Sequence, residues 1–96
     1  MSTSKKTTDH TEIRSWAESR GAQPALIKED SYDSGVLRIA LPGQPPQGKV
    51  VPLTWDHFFK RFDDDGLAFM YAPEAHDPDM ENYNKLVRRD GYHRGL

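Results

Sequence analysis

In TTDHTEIRSWAESRG (residues 7–21) the apolar positions Ile13, Trp16 and Ala17, with the amphipathic Arg20, recur at i, i+3, i+4 and i+7. That period marks one face of a helix. Thr8 or Asp9 can cap its start. Asp9 with Glu12 approximates a capping box, and Gly21 suits the left-handed residue that ends a helix. After Pro24 the pattern shortens: PALIK is a brief strand and EDSYDSG a turn. In GVLRIAL, Leu37, Ile39 and Leu41 alternate with Val36, Arg38 and Ala40, which predicts a strand with one face buried and a hairpin with the strand before it. PGQPPQGK, with three prolines and two glycines in eight residues, is a loop, and VVPL leaves it extended because Pro52 bars Val51 from helical angles.

The second helix is the strongest signal. Thr54 is a good N-cap, and Leu53 and Phe58 stand at the two positions of a hydrophobic staple. Trp55, Phe58, Phe59 and Phe62 share one face. Asp63, Asp64 and Asp65 end the helix, Gly66 turns the chain and LAFMY is a strand. APEAHDPDM is a polar loop. ENYNKLVRR alternates weakly, which favours a strand pairing with residues 67–71 and leaves a short helix as the alternative.

The expected fold is therefore α+β: two helices packed on a mainly antiparallel sheet of about four short strands, in the order helix, strand, strand, helix, strand, strand. The aromatic face of the second helix should cover a sheet containing residues 35–41 and 67–71, with Ile13 and Trp16 closing one end of the core. Residues 1–7 read as a disordered tail, 8–90 as a single domain and 91–96 as a flexible tail.

Composition narrows the chemistry. At 96 residues, with 35% hydrophobic content and a mean hydropathy of -0.84, the chain supports one modest core. Thirteen basic and fifteen acidic residues give a net charge of -2, without the basic excess of a typical nucleic-acid module. The absence of cysteine excludes disulfides and thiolate chemistry. No apolar run suits a membrane span and no secretory leader is evident, so a soluble cytoplasmic protein is expected.

No motif carries catalysis. An EF-hand loop begun at Asp63 would need an oxygen where Leu67 stands and a glycine where Ala68 stands. His10, His57, His76 and His93 match no metal spacing. Neither a nucleophile motif nor a phosphate-binding glycine loop is present. No cofactor or metal is expected, and the acidic run reads as a solvated helix end despite its unfavourable place against the helix dipole.

What remains is recognition. An exposed tryptophan beside an arginine makes a binding hot spot, so Trp16 and Trp55 with Arg14 and Arg61 are candidates, joined by the basic pair Arg88 and Arg89. A non-catalytic domain with a protein partner is the expected function. The alternative of nucleic-acid association rests on Arg14, Arg20, Lys85, Arg88, Arg89 and Arg94 forming one basic face.

Together, TTDHTEIRSWAESRGAQPA, GVLRIALPG, LTWDHFFKRFDDDGLAFMY and NKLVRR resemble a family of small bacterial proteins of unknown function, some of which carry the name 1,4-alpha-glucan branching enzyme. The resemblance spans residues 7–89. Its most specific part is the segment from Asp9 to Trp16, and this chain has Ala40-Leu41-Pro42-Gly43 where the family pattern has D-F-P-G. The name implies a barrel of roughly 200 residues or more and paired catalytic carboxylates, neither of which the sequence accommodates. A carbohydrate-related role, with an exposed aromatic stacking on a sugar ring, is what the resemblance adds.

Overall fold

The structure, a computed structural model, describes residues 4–30, 32, 34–43, 48–72 and 82–89. Its elements are β1 (Lys5–Thr7), α1 (His10–Glu18), β2 (Gln23–Lys28), β3 (Val36–Ala40), β4 (Lys49–Pro52), α2 (Trp55–Asp64), β5 (Leu67–Tyr71) and β6 (Asn84–Arg88). The α+β class and the strand at 84–88 agree with the sequence pattern. The sheet arrangement does not. In place of one four-stranded sheet there are two three-stranded sheets, ordered β1-β5-β6 and β3-β2-β4, with every pairing antiparallel. The reason is that each hairpin finds its own third strand. β2 takes β4 as its second neighbour and β5 takes β1, so the two hairpins are not joined into one sheet.

β1 also corrects the expectation of a disordered tail through residue 7. Lys5, Lys6 and Thr7 pair with Tyr71, Met70 and Phe69. Three polar residues are too short a run to show alternation, and what orders them lies far away in sequence. Residues 1–3, the 91–96 tail, all of residues 73–81 and the middle of the 42–49 loop lie outside the described residues.

The helix ends form as the residue types dictate. The Asp9 side chain accepts from the Glu12 N–H at 3.1 Å. The capping box is only half made, because the Asp9 N–H donates to Thr7 Oγ1 at 3.1 Å and the Glu12 carboxylate turns to other donors. At the far end of α1 the Ala22 N–H reaches Ala17 O at 2.9 Å and the Gly21 N–H reaches Glu18 O at 3.2 Å. This Schellman closure needs Gly21 at φ 68°. Thr54 caps α2 by accepting from the His57 N–H at 3.1 Å.

The core lies between the helices and both sheets. Ile13, Trp16 and Ala17 of α1, Phe58, Phe59 and Phe62 of α2, Leu37 and Ile39 of β3, and Phe69 and Tyr71 of β5 form one buried cluster, with Leu26, Trp55 and Leu86 packed against it. The aromatic face of α2 thus covers both predicted strands, which belong to different sheets. Successive strand residues point to opposite faces. Val36, Arg38, Ile27 and Val50 of one sheet, and Lys85, Val87 and Met70 of the other, therefore project from the face the helices leave uncovered. No helix among the described residues is long and apolar enough to cross a membrane.

Candidate interaction site

The six residues singled out from sequence do not converge. Arg14 pairs along its own helix with Glu18 at 3.2 Å. Trp16 is 6% exposed and packs edge-to-face on Phe69, with ring centroids 5.1 Å apart, under the Arg20 guanidinium at 4.4 Å. It belongs to the core, and so is not the exposed aromatic that a hot spot needs. Arg61 is a strut: its guanidinium donates to Ser34 O and Gly35 O, both at 2.7 Å, and its Nε to Asp65 at 3.2 Å. Arg89 lies over the Phe62 ring, donates to Leu67 O at 3.1 Å and pairs with Asp63 at 3.1 Å. Two of the six keep a surface role. Trp55, stacked on Phe59, rims a hollow of about 330 Å³ with Glu18, Gln23 and Thr54. Arg88 is exposed on β6 and has no ion pair among the described residues.

The acidic run is answered charge by charge. Asp63 takes His10 Nε2 at 3.0 Å as well as Arg89, Asp64 takes Lys60 at 3.2 Å, and Asp65 takes Arg61 at 3.2 Å. Partial burial pushes the Asp63 carboxyl up, but the hydrogen bonds and charges of His10 and Arg89 outweigh burial and hold it below its ordinary value. Arg89, Lys60 and Arg61 offset the misfit with the helix dipole. Among the described residues no three His, Asp or Glu side chains converge as a metal site requires.

A site that the sequence did not reveal lies where the two sheets meet. β3 and β6 each end a sheet and are not paired with one another. Between them is a cleft of about 290 Å³, lined by residues 36–39 of β3 and 84–86 of β6. The ladder phase shows which backbone groups face it. Pro24 O accepts from the Leu53 N–H at 3.1 Å, so Pro24 points toward β4. Residues Gln23, Ala25 and Ile27 then point toward β3, opposite Ala40, Arg38 and Val36. Leu37 and Ile39 are left with their N–H and C=O groups turned to the cleft. On the other side the Arg89 N–H bonds Gly66 O at 2.7 Å, which sets Val87 and Lys85 toward β5 and turns Leu86 and Asn84 to the free edge.

Two side chains at the cleft are cationic, Arg38 and Lys85. No carboxylate lines it, and no ion pair engages either cation among the described residues. Beside it Val36 is 63% exposed, and Val50, on the same uncovered face, is 42% exposed. The alternation in GVLRIAL did place Val36 and Arg38 on the outer face. That β3 has no second neighbour among the described strands depends on the whole topology, which no local pattern encodes.

Two separate surfaces are thus candidates: the helix-free sheet face with its cationic cleft, and the Trp55 hollow. Of the basic residues on α1, Arg14 pairs with Glu18 and Arg20 lies over Trp16 and donates to its carbonyl, while Arg94 lies outside the described residues. No family model, curated protein or solved structure matches this chain.

Proposed function

We propose that this chain is a non-catalytic protein-interaction domain that docks its partner on the helix-free face of the two sheets. One observation carries the reading: large apolar side chains, Val36 at 63% and Val50 at 42% exposure, stand on a sheet face that neither helix covers. Apolar area of this kind, rimmed by charge, is what a docking surface presents. Arg38 and Lys85 supply the rim. The test immobilises the wild-type chain and a Val36→Glu, Val50→Glu double variant and compares what each retains from the source cell extract. A partner held by the wild type and lost with the variant supports the reading. Equal recovery on both overturns it.

A second reading rests on Trp55. A half-buried indole rimmed by Glu18, Gln23 and Thr54 suits a sugar ring, with the ring face on the indole and hydroxyls on the polar rim. Titration with linear glucans while following tryptophan emission tests it, with Trp55→Ala as the control. A flat titration, or one that Trp55→Ala leaves unchanged, removes this reading.

A further inference from the structure

We infer that the partner enters as an extended acidic segment that adds a strand to the edge of β3 at the cleft with β6. The inference rests on the protein-interaction reading and names the chemistry of what binds. Unpaired edge strands are templates for another strand, and proteins ordinarily blunt them. The edges of this molecule are not blunted alike. The ladder phase that turns Ala25 toward β3 turns Pro52, its partner on β4, away from β2, so the outer edge of β4 lacks a donor where Pro52 faces out. The outer edge of β1 is only three residues long and carries Lys5 and Lys6. The edge of β3 is five residues long, has no proline and carries a single charge, Arg38. Leu37 and Ile39 offer two N–H and two C=O groups in the alternating register that an added strand needs, with no proline between them.

Where β3 and β6 are closest, the gap between them is narrower than an inserted strand needs. An inserted strand paired on both sides requires about 9.5 Å between its neighbours, two strand spacings. Cα atoms of β3 and β6 come within 8 Å of one another. A strand added to β3 therefore displaces β6 slightly where the two are closest. No β3–β6 ladder is present among the described residues, so none has to break. The bound strand would then meet Leu86 and Asn84 on its second side.

Charge selects the occupant. Arg38 projects from β3 and Lys85 from β6, both on the uncovered face and neither in an ion pair among the described residues. An added strand places alternate side chains on that face, so carboxylates at alternate positions meet Arg38 and Lys85 while the intervening apolar residues meet Leu37, Ile39 and Leu86. A second copy of this β3 edge would instead bring Arg38 against Arg38, which disfavours edge-to-edge self-association.

The test uses the full chain and three capped eight-residue peptides. The first alternates valine and glutamate, the second alternates valine and lysine, and the third is the first with alternate backbone amides N-methylated. Binding is followed by amide chemical shifts and by hydrogen exchange. The glutamate peptide is expected to bind, to slow exchange at Leu37 and Ile39, and to weaken by roughly tenfold or more with Arg38→Gln plus Lys85→Gln, the weight of charged hydrogen bonds. The lysine and N-methylated peptides are expected to bind at least tenfold more weakly, as two such contacts or the ladder itself are lost. Equal binding of the glutamate and lysine peptides overturns the charge selection. Equal binding of the N-methylated peptide, or unchanged exchange at Leu37 and Ile39, overturns strand addition. A single-stranded oligonucleotide of equal charge that binds as well as the glutamate peptide also overturns the proposal. If any of these failures occurs while the Val36→Glu, Val50→Glu variant still loses its captured partner, only the strand mode falls. If that capture difference is absent too, the protein-interaction reading falls with it.

Discussion

The Tyr71 hydroxyl donates its proton to the Glu12 carboxylate, 59 residues away along the chain, and so ties the end of β5 to the first turn of α1. The same carboxylate accepts from Lys5 Nζ at 2.9 Å and Thr7 Oγ1 at 3.0 Å. This knot orders β1. Tyr71, then Lys5, hold the Glu12 carboxyl below its ordinary value against the opposing effect of burial. The Tyr71 hydroxyl is pushed up by burial and by its bond to Glu12.

A carboxyl whose value is depressed in the folded state contributes stability above the ordinary carboxylate range and loses it as pH falls through the folded value. Glu12→Gln should therefore cost about 1–2 kcal/mol at neutral pH, near the low end for hydrogen bonds to a charged group because the site is partly open to solvent. The cost should shrink toward zero on acidification, where the wild-type carboxyl is itself protonated. Urea melts of both proteins across the acid range check this. A difference that stays constant with pH would show that the effect is packing alone.

Arg61 spans two carbonyls, Ser34 O and Gly35 O, with the two arms of one guanidinium. It thereby fixes the entry to β3, where Gly35 sits at φ 88° with Leu26 and Lys28 close to where a Cβ would stand. Arg61→Lys should cost about 1–2 kcal/mol, because a single ammonium cannot reproduce the fork. It should also shift the Val36 amide resonance, whereas Arg14→Lys, on an exposed helix pair, should change neither. Denaturant melts and amide spectra of the two variants make the comparison.

The aromatic face of α2 and the acidic run that follows it make opposite demands on stability. Phe59 is buried between Trp55 and His10, with ring centroids 5.4 and 4.1 Å away. Phe59→Ala should cost about 3–5 kcal/mol, much of the roughly 5–15 kcal/mol available to a small domain. Asp64 pairs with Lys60 at the surface, so Asp64→Ala should fall within about 0.5 kcal/mol of wild type. Chemical denaturation of both decides the order. If Asp64→Ala is the more damaging, the acidic run is a site and not a helix end.

The second helix was legible because cap, apolar period and terminating glycine agree over one continuous stretch, from Thr54 to Gly66. β3 and β5 were legible for the same reason. β1 was not, since Lys5–Thr7 owes its order to Tyr71 and Glu12, groups with no local signature. The cleft was hidden for a related reason. An edge is defined by the absence of a neighbour, and neighbours are set by the topology. The arginines misled differently: Arg61 and Arg89 are surface-type residues in sequence, yet each is spent on backbone carbonyls within the fold.

Trp16 gives the last test. Its Nε1–H is buried and finds no acceptor among the described residues, while its ring packs on Phe69 and Tyr71. An unsatisfied buried donor costs about 1–3 kcal/mol. Trp16→Phe removes that donor and keeps most of the aromatic contact, so the gain offsets the smaller ring and the net cost should stay below about 1.5 kcal/mol. Trp16→Ala loses the ring altogether and should cost about 3–5 kcal/mol. Thermal and urea melts of both variants give the two values. In Trp16→Phe the remaining tryptophan emission comes from Trp55 alone, and acrylamide should quench it more strongly than the wild-type emission, because Trp55 is only partly buried and Trp16 is 6% exposed. If Trp16→Phe proves as costly as Trp16→Ala, the indole N–H has an acceptor in solution and the packing account of this position is incomplete.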